Sequence, residues 1–190
     1  LTGRTGAGKT TMFKLLLGIV SPVSGTVTLN GIEAEQIPDS EKRKLIGYVE
    51  QGFHGVRGTV AEQISLNDET ISRSRVERVL RYVGLWEAVE SLEKGMDTPF
   101  ENGKYFSQGQ KQLLSIARAL VADPPILMLD EITANLDVVT EQNIRNVLEK
   151  AGKERTILSI SHRRTVADMG ERIFVVEAGR VIEKKEQHSK

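Results

Sequence analysis

The chain contains no cysteine among its 190 residues. Disulfides and thiolate metal sites are therefore excluded, and a reducing compartment fits. Neither sign of charge prevails: Lys+Arg and Asp+Glu number 26 each, a formal net charge of zero. No general nucleic-acid or polyanion partner is implied by that balance. No apolar run comes near the roughly 20 residues that span a bilayer, so if the protein serves a membrane, the spanning part lies elsewhere. Internal repeats and low-complexity tracts are absent as well. What is present is an ordinary globular balance, 39% apolar and 27% charged. Its length suffices for one sizeable core with a smaller lobe.

Short strand-like runs alternate with helical patterns, which predicts a parallel, doubly wound α/β core. A helix is expected to start near Lys9 and run to Leu17. Gly25 to Gly31 (GTVTLNG) reads as a strand, and Ile46 to Val49 as another. Ile126-Leu127-Met128-Leu129, between Pro124-Pro125 and Asp130-Glu131, has the pattern of a fully buried parallel strand. Thr156 to Ile160 and Ile173 to Val176 read as further buried strands, with Gly179 turning into Val181-Ile182. From Thr59 to about Leu120 the strand signals give way to helical periods: Val60, Ile64 and Leu66; then Val76, Val79, Leu80, Val83 and Leu85; then Leu113, Ile116, Ala117 and Leu120. We expect residues 59–120 to form a helical lobe inserted into an α/β core built from 1–58 and 121–190. Trp86, inside that lobe, reads as a packing residue. His54 and His188 read as solvated, and Lys42-Arg43-Lys44 as an exposed face.

Three short segments carry chemistry. Gly3-Arg4-Thr5-Gly6-Ala7-Gly8-Lys9-Thr10 satisfies G-x-x-x-x-G-K-[ST]. Its glycines let successive backbone N–H groups, from Thr5 to Thr11, point at phosphate oxygens, and the following helix adds its positive end. Lys9 supplies a charge to the β and γ phosphates, and the Thr10 hydroxyl is a Mg²⁺ ligand. The alternative, an accidental glycine turn, is opposed by the helical pattern that follows. The motif specifies a nucleoside triphosphate without choosing between kinase, GTPase and ATPase. Asp130-Glu131, ending the buried strand, places one carboxylate within reach of that Mg²⁺ and a second where an attacking water could lie. Alone, such a pair could simply open a polar turn or cap a helix. Ser107-Gln108-Gly109-Gln110 opens an amphipathic helix with Ser107 at its N-cap, and alone it too would be an ordinary capped helix.

Taken in order and spacing, these segments resemble the ATPase domain of ATP-binding cassette (ABC) transporters over nearly the whole chain. Tyr105-Phe106-Ser107-Gln108-Gly109-Gln110 is similar to the family's signature and Thr133-Ala134-Asn135-Leu136-Asp137 to its D-loop. Ser161-His162 is similar to its switch histidine, and Val49-Glu50-Gln51 to its glutamine loop. Gly58-Thr59-Val60-Ala61-Glu62-Gln63-Ile64 and Glu101-Asn102-Gly103 look like the exporter branch, the latter like a loop that touches coupling helices of the membrane domain.

The resemblance implies a P-loop NTPase core with a parallel sheet and an inserted helical subdomain. It implies ATP and Mg²⁺ as cofactors, with Thr10, Asp130 and Gln51 positioning the metal. Glu131 would be the general base and His162 a γ-phosphate contact. Ser107 and Gly109 would act on the phosphate bound by a second such domain in a head-to-tail dimer. It further implies a transmembrane permease domain, in the same chain or a separate one, and a place on the cytoplasmic face of a membrane. No nucleic-acid partner is expected.

Phe106 and Gln108 stand where the family signature usually has Leu and Gly, while Ser107, Gly109 and Gln110 are retained, so γ-phosphate contact is expected to survive. Because the chain opens at Leu1, almost at the phosphate loop, most of the preceding strand is expected to be missing. The family's adenine-stacking aromatic would then lie upstream. Two rival readings are a soluble ABC ATPase acting on nucleic acid or the ribosome, and a domain that binds ATP without hydrolysing it. The neutral charge opposes the first, and the pair Glu131 and His162 opposes the second.

Overall fold

The computed structural model describes residues 1–133, 136–161 and 172–184. Ala134, Asn135, His162 and His188 fall outside them. In chain order the elements are α1 (Lys9–Leu16), β1 (Thr28–Leu29), β2 (Ile32–Glu33), α2 (Asp39–Leu45) and β3 (Ile46–Val49). Next come α3 (Val60–Ser65), α4 (Arg73–Tyr82), α5 (Trp86–Glu90) and α6 (Gln108–Leu120). β4 (Ile126–Asp130), α7 (Val138–Gly152), β5 (Thr156–Ile160), β6 (Ile173–Glu177) and β7 (Arg180–Lys184) complete the set.

β3, β4 and β5 form a parallel sheet in that order, with Val49 opposite Leu129 and Asp130 opposite Ile160. The first two residues of the chain fill the gap between β5 and β6. The Leu1 amino group donates to the Ser159 carbonyl at 2.6 Å, and the Ser161 N–H donates to the Leu1 carbonyl at 3.3 Å. On the other side the Thr2 N–H donates to Phe174 and the Val176 N–H donates to Thr2, both at 2.8 Å. Gly3 therefore emerges at the carboxyl edge of the sheet, between the ends of β5 and β6. There, open α/β sheets bind their ligands. β6 and β7 form an antiparallel hairpin through Ala178-Gly179.

Side chains alternate across each strand, and the alternation divides the core in two. Ile126 and Met128 pack with Phe13 and Leu17 of the α1 region, together with Ile46, Tyr48, Leu158 and Ile160. Leu127 and Leu129 point the other way, with Val49, into a larger cluster filled by α3, α4, α6 and α7. Both faces of β4 are thus covered, and its continuous apolar run follows from that. α3 and α6 each begin with a reciprocal capping box, Thr59 with Glu62 and Ser107 with Gln110. Trp86 packs half-buried against the larger cluster, with the Arg81 guanidinium 4.2 Å above its ring.

Three expectations need correction. Gly25 to Gly31 is not one strand: Asn30 (φ 51) and Gly31 (φ 83) turn the chain, so Thr28–Leu29 folds back on Ile32–Glu33. Such an Asn-Gly pair supplies the two positive φ angles of a tight hairpin. β5 and β6 are half-buried or exposed rather than buried, apart from Ile160 and Val176. Finally, Lys42-Arg43-Lys44 is not a uniformly exposed face. Lys44 is exposed, but Lys42 and Arg43 reach into a groove of about 360 Å³ shared with Arg118, and pair with Asp39 and Asp68 at 3.6 Å.

Candidate functional site

The loop before α1 is curled by Gly6 (φ 79) and Gly8 (φ 98), the latter serving as the N-cap of the helix. Its backbone closes on itself through an Ala7 N–H to Arg4 carbonyl bond of 3.1 Å. Lys9 is only 5% exposed. Its ammonium donates to the carbonyls of Gly3 at 2.9 Å and Arg4 at 3.0 Å. Thr5, Gly6, Thr10 and Thr11 are exposed, Gly3, Ala7 and Gly8 partly so. The loop thus presents backbone donors and a positive helix end to an anion, with a buried cation beneath them.

Asp130 ends β4 at 7% exposure. Burial pushes its carboxyl above the usual carboxylate range and the neighbouring Glu131 charge adds to this, while the Thr10 and Tyr48 hydroxyls and the Lys9 charge pull the other way. The Tyr48 hydroxyl donates to Asp130 Oδ2 at 3.4 Å, and burial, followed by the charges of Asp130 and Glu50, raises the phenol's own pKa. Tyr48 is a site residue that pattern reading misses. It faces Asp130 only because Tyr48 pairs with Met128 on the same sheet face, and a register of that kind is not written in either strand alone.

The next residue, Glu131, is half-buried and has a left-handed backbone, φ 51, with its N–H donated to the Ile160 carbonyl at 3.1 Å. A non-glycine residue held there costs about 1–3 kcal/mol and recurs at functional sites. Gln51 is exposed two residues beyond the end of β3. Since Val49 pairs with Leu129, Gln51 belongs to the same carboxyl edge as Asp130 and Glu131.

A raised carboxyl pKa carries a sign. The unfolded chain releases this proton at a lower pH than the folded one, so Asp130 favours folding in acid. That contribution is lost as pH rises from the ordinary value of 3.8 through the raised one. At neutral pH the ionised carboxylate is a net cost. Asp130→Asn is therefore expected to raise the Tm of the nucleotide-free protein at pH 7, read by thermal unfolding.

The Ser107–Gln110 segment lies on the other side of the sheet. Ser107 Oγ accepts from the Gln110 N–H at 3.2 Å, and Gln110 Oε1 accepts from the Ser107 N–H at 2.9 Å. Ser107 and Gln108 are exposed, whereas Gly109 is buried against α7. A Cβ on Gly109 would sit 2.2 Å from the Thr140 methyl carbon. Thr140 is in turn tied to Asp137, whose two carboxylate oxygens accept its N–H at 2.9 Å and its hydroxyl at 2.7 Å. Asp137 is thus the N-cap of α7, held below the usual carboxylate range by those bonds. His54 is exposed and 3.5 Å from the Glu50 carboxylate.

Comparison with known proteins gives a consistent result. The family profile described as ABC transporter matches residues 1–134. An uncharacterised ABC transporter ATP-binding protein of Bacillus subtilis is 39% identical over 183 residues, covering 96% of this chain and 30% of that protein. The ATP-dependent lipid A-core flippase of Burkholderia thailandensis is 39% identical over 184 residues, covering 96% and 31%. A lactococcin transport/processing ATP-binding protein of Lactococcus lactis is 37% identical over 186 residues, covering 96% and 26%. Among solved structures, a bacterial Atm1-family ABC exporter with ATP bound superposes with a TM-score of 0.82 at 32% identity, covering 95% of this chain and 32% of that one. The chain thus spans about a third or less of the length of these relatives. The family profile and these relatives together place the chain in the ABC transporter family.

Proposed function

We propose that this domain hydrolyses ATP at sites shared with a second such domain and passes the resulting closure and reopening to a membrane permease part. The observation that carries this reading is the division of the sheet faces. α1 packs on one face, with Met128 and Ile160, and α6 on the other, with Leu127 and Leu129. A segment on the far face is suited to the phosphate of a second domain in a head-to-tail pair.

In this reading the loop from Gly3 to Thr11 and the Lys9 ammonium hold the triphosphate. Hard oxygen donors at Thr10 and Asp130, with the Gln51 amide at the same edge, suit a small divalent cation that keeps waters and phosphate oxygens. Among the described residues no cluster of three or more His, Cys, Asp or Glu offers a protein cage. Mg²⁺ there would neutralise charge on the β and γ phosphates. Glu131 takes the proton of the attacking water while the bond from the γ-phosphorus to the β–γ bridging oxygen breaks. His162 contacts the γ-phosphate. Ser107, Gln108, Gly109 and Gln110 of the partner domain close over it, donating from a helix N-terminus, and Asp137 lies at the junction.

Residues 59–120 act as the helical lobe that carries this segment, with 1–58 and 121–190 as the core. The turn Glu101 to Gly103 meets the permease part at the cytoplasmic face of the membrane. No helix among the described residues is long and apolar enough to cross a bilayer.

This chain brings no cysteine of its own, so once any cysteine outside it is replaced a direct test is available. A Thr5→Cys/Ser107→Cys variant of the full-length protein, oxidised with ATP in a Glu131→Gln background, is expected to yield a disulfide between domains that requires nucleotide. A bond within one domain, or one indifferent to ATP, would refute the shared site.

A further inference from the structure

Between the loop that carries Gln51 and the N-terminus of α6 stands one buried ring. Phe100 is 6% exposed. Its ring centroid lies 5.3 Å from that of Phe53 and 5.8 Å from that of Phe106, the latter pair stacked at 25°. Phe53 follows Gln51 by two residues, and Phe106 directly precedes Ser107. Backbone from two loops closes in on the tip of the ring. A Cβ on Gly55 would stand 2.8 Å from Phe100 Cε1, and one on Gly103 would stand 2.8 Å from Cζ.

The loop facing Phe100 is itself held at several points. The Phe100 N–H donates to the Gly58 carbonyl at 2.8 Å. Gln63, fully buried, accepts from the Val56 N–H at 2.8 Å and donates to the carbonyls of Val56 at 2.9 Å and Thr59 at 3.1 Å. From α6, Arg118 covers the Phe53 ring at 4.7 Å and donates to the carbonyls of His54 at 2.9 Å and Gln63 at 2.6 Å.

We propose that Phe100 is a positioning residue for ATP hydrolysis: its ring fixes the spacing between the Gln51 loop and the Ser107 cap, so that the two shift together. Close-packed rings wedged between backbones do not deform gradually, and a displacement at Phe53 must be met at Phe106. The turn Glu101 to Gly103 begins at the next residue, so a force applied there reaches both ends of the stack. This inference rests on the roles given above to Gln51 and Ser107.

Phe100→Leu keeps an apolar side chain but removes the ring contacts. In the full-length protein it is expected to lower kcat per nucleotide-bound site about tenfold and to leave KM for ATP within about twofold, since the phosphate loop is untouched. Loss of packing alone would reduce the number of sites that bind nucleotide and leave kcat per site unchanged. In a Gln51→Ala background the same substitution is expected to cost less than about twofold more, because residues acting as one unit are not additive. An unchanged kcat per site, or losses that multiply across the two variants, would overturn the proposal. Should Phe100→Leu fail to fold, Phe53→Leu cuts the same stack and carries the same expectations. If Gln51→Ala and Ser107→Ala both leave kcat intact, the site assignment fails instead, and that result is distinct from any outcome at Phe100.

Discussion

Glu131→Gln is expected to slow phosphate release by at least about 100-fold while ATP remains bound, a positioned general base being worth about 10²–10⁴ in rate. Glutamine keeps the size and hydrogen-bonding reach of glutamate but does not accept the water's proton at neutral pH. It must adopt the same left-handed backbone at φ 51, and as another unbranched residue it does so at similar cost. The variant therefore isolates the proton transfer from the fold. Single-turnover phosphate release and retention of labelled ATP on the protein measure the two halves of the expectation. Turnover within about tenfold of the parent would place the proton acceptor elsewhere.

The second large effect is expected at Lys9. Its ammonium is buried and satisfied by two loop carbonyls, Gly3 and Arg4, so it serves the loop before it serves the ligand. Lys9→Met removes a charge-assisted contact worth about 1.5–3 kcal/mol, which corresponds to a loss of about 10- to 100-fold in ATP affinity. It also releases both carbonyls, so part of the loss should appear as a lower Tm without nucleotide. Calorimetric titration with a non-hydrolysable ATP analogue, set beside thermal unfolding of the unliganded protein, separates the two contributions. An affinity within twofold of the parent would contradict the assigned role.

Several parts of the architecture were legible because the local physics left one solution. Ile126 to Leu129 is apolar at every position, and only a strand covered on both faces needs that. Ser107 ahead of an amphipathic run spelled out an N-cap, and the cap is there. Other parts depended on partners distant in the chain. GTVTLNG has strand-forming residues throughout its first half, yet Asn30-Gly31 reverses the chain after a single pair of bridges. Lys42 and Arg43 look like solvent-facing charges until Asp39, Asp68 and Arg118 are placed around them.

The paired acids and the phosphate loop could be named from spacing. The Tyr48 hydroxyl on Asp130 could not, since it follows from a strand register. The Phe53, Phe100 and Phe106 stack was equally hidden, because three rings scattered along the sequence acquire a common meaning only when two loops converge.

The contact between Gly109 and Thr140 restricts what either helix can carry there. The Thr140 methyl occupies the space that a side chain at position 109 would need, and its hydroxyl is engaged by the Asp137 cap. A side chain at 109 therefore fits only if position 140 gives up its methyl, and serine is the replacement that frees the space while keeping a hydroxyl for the cap.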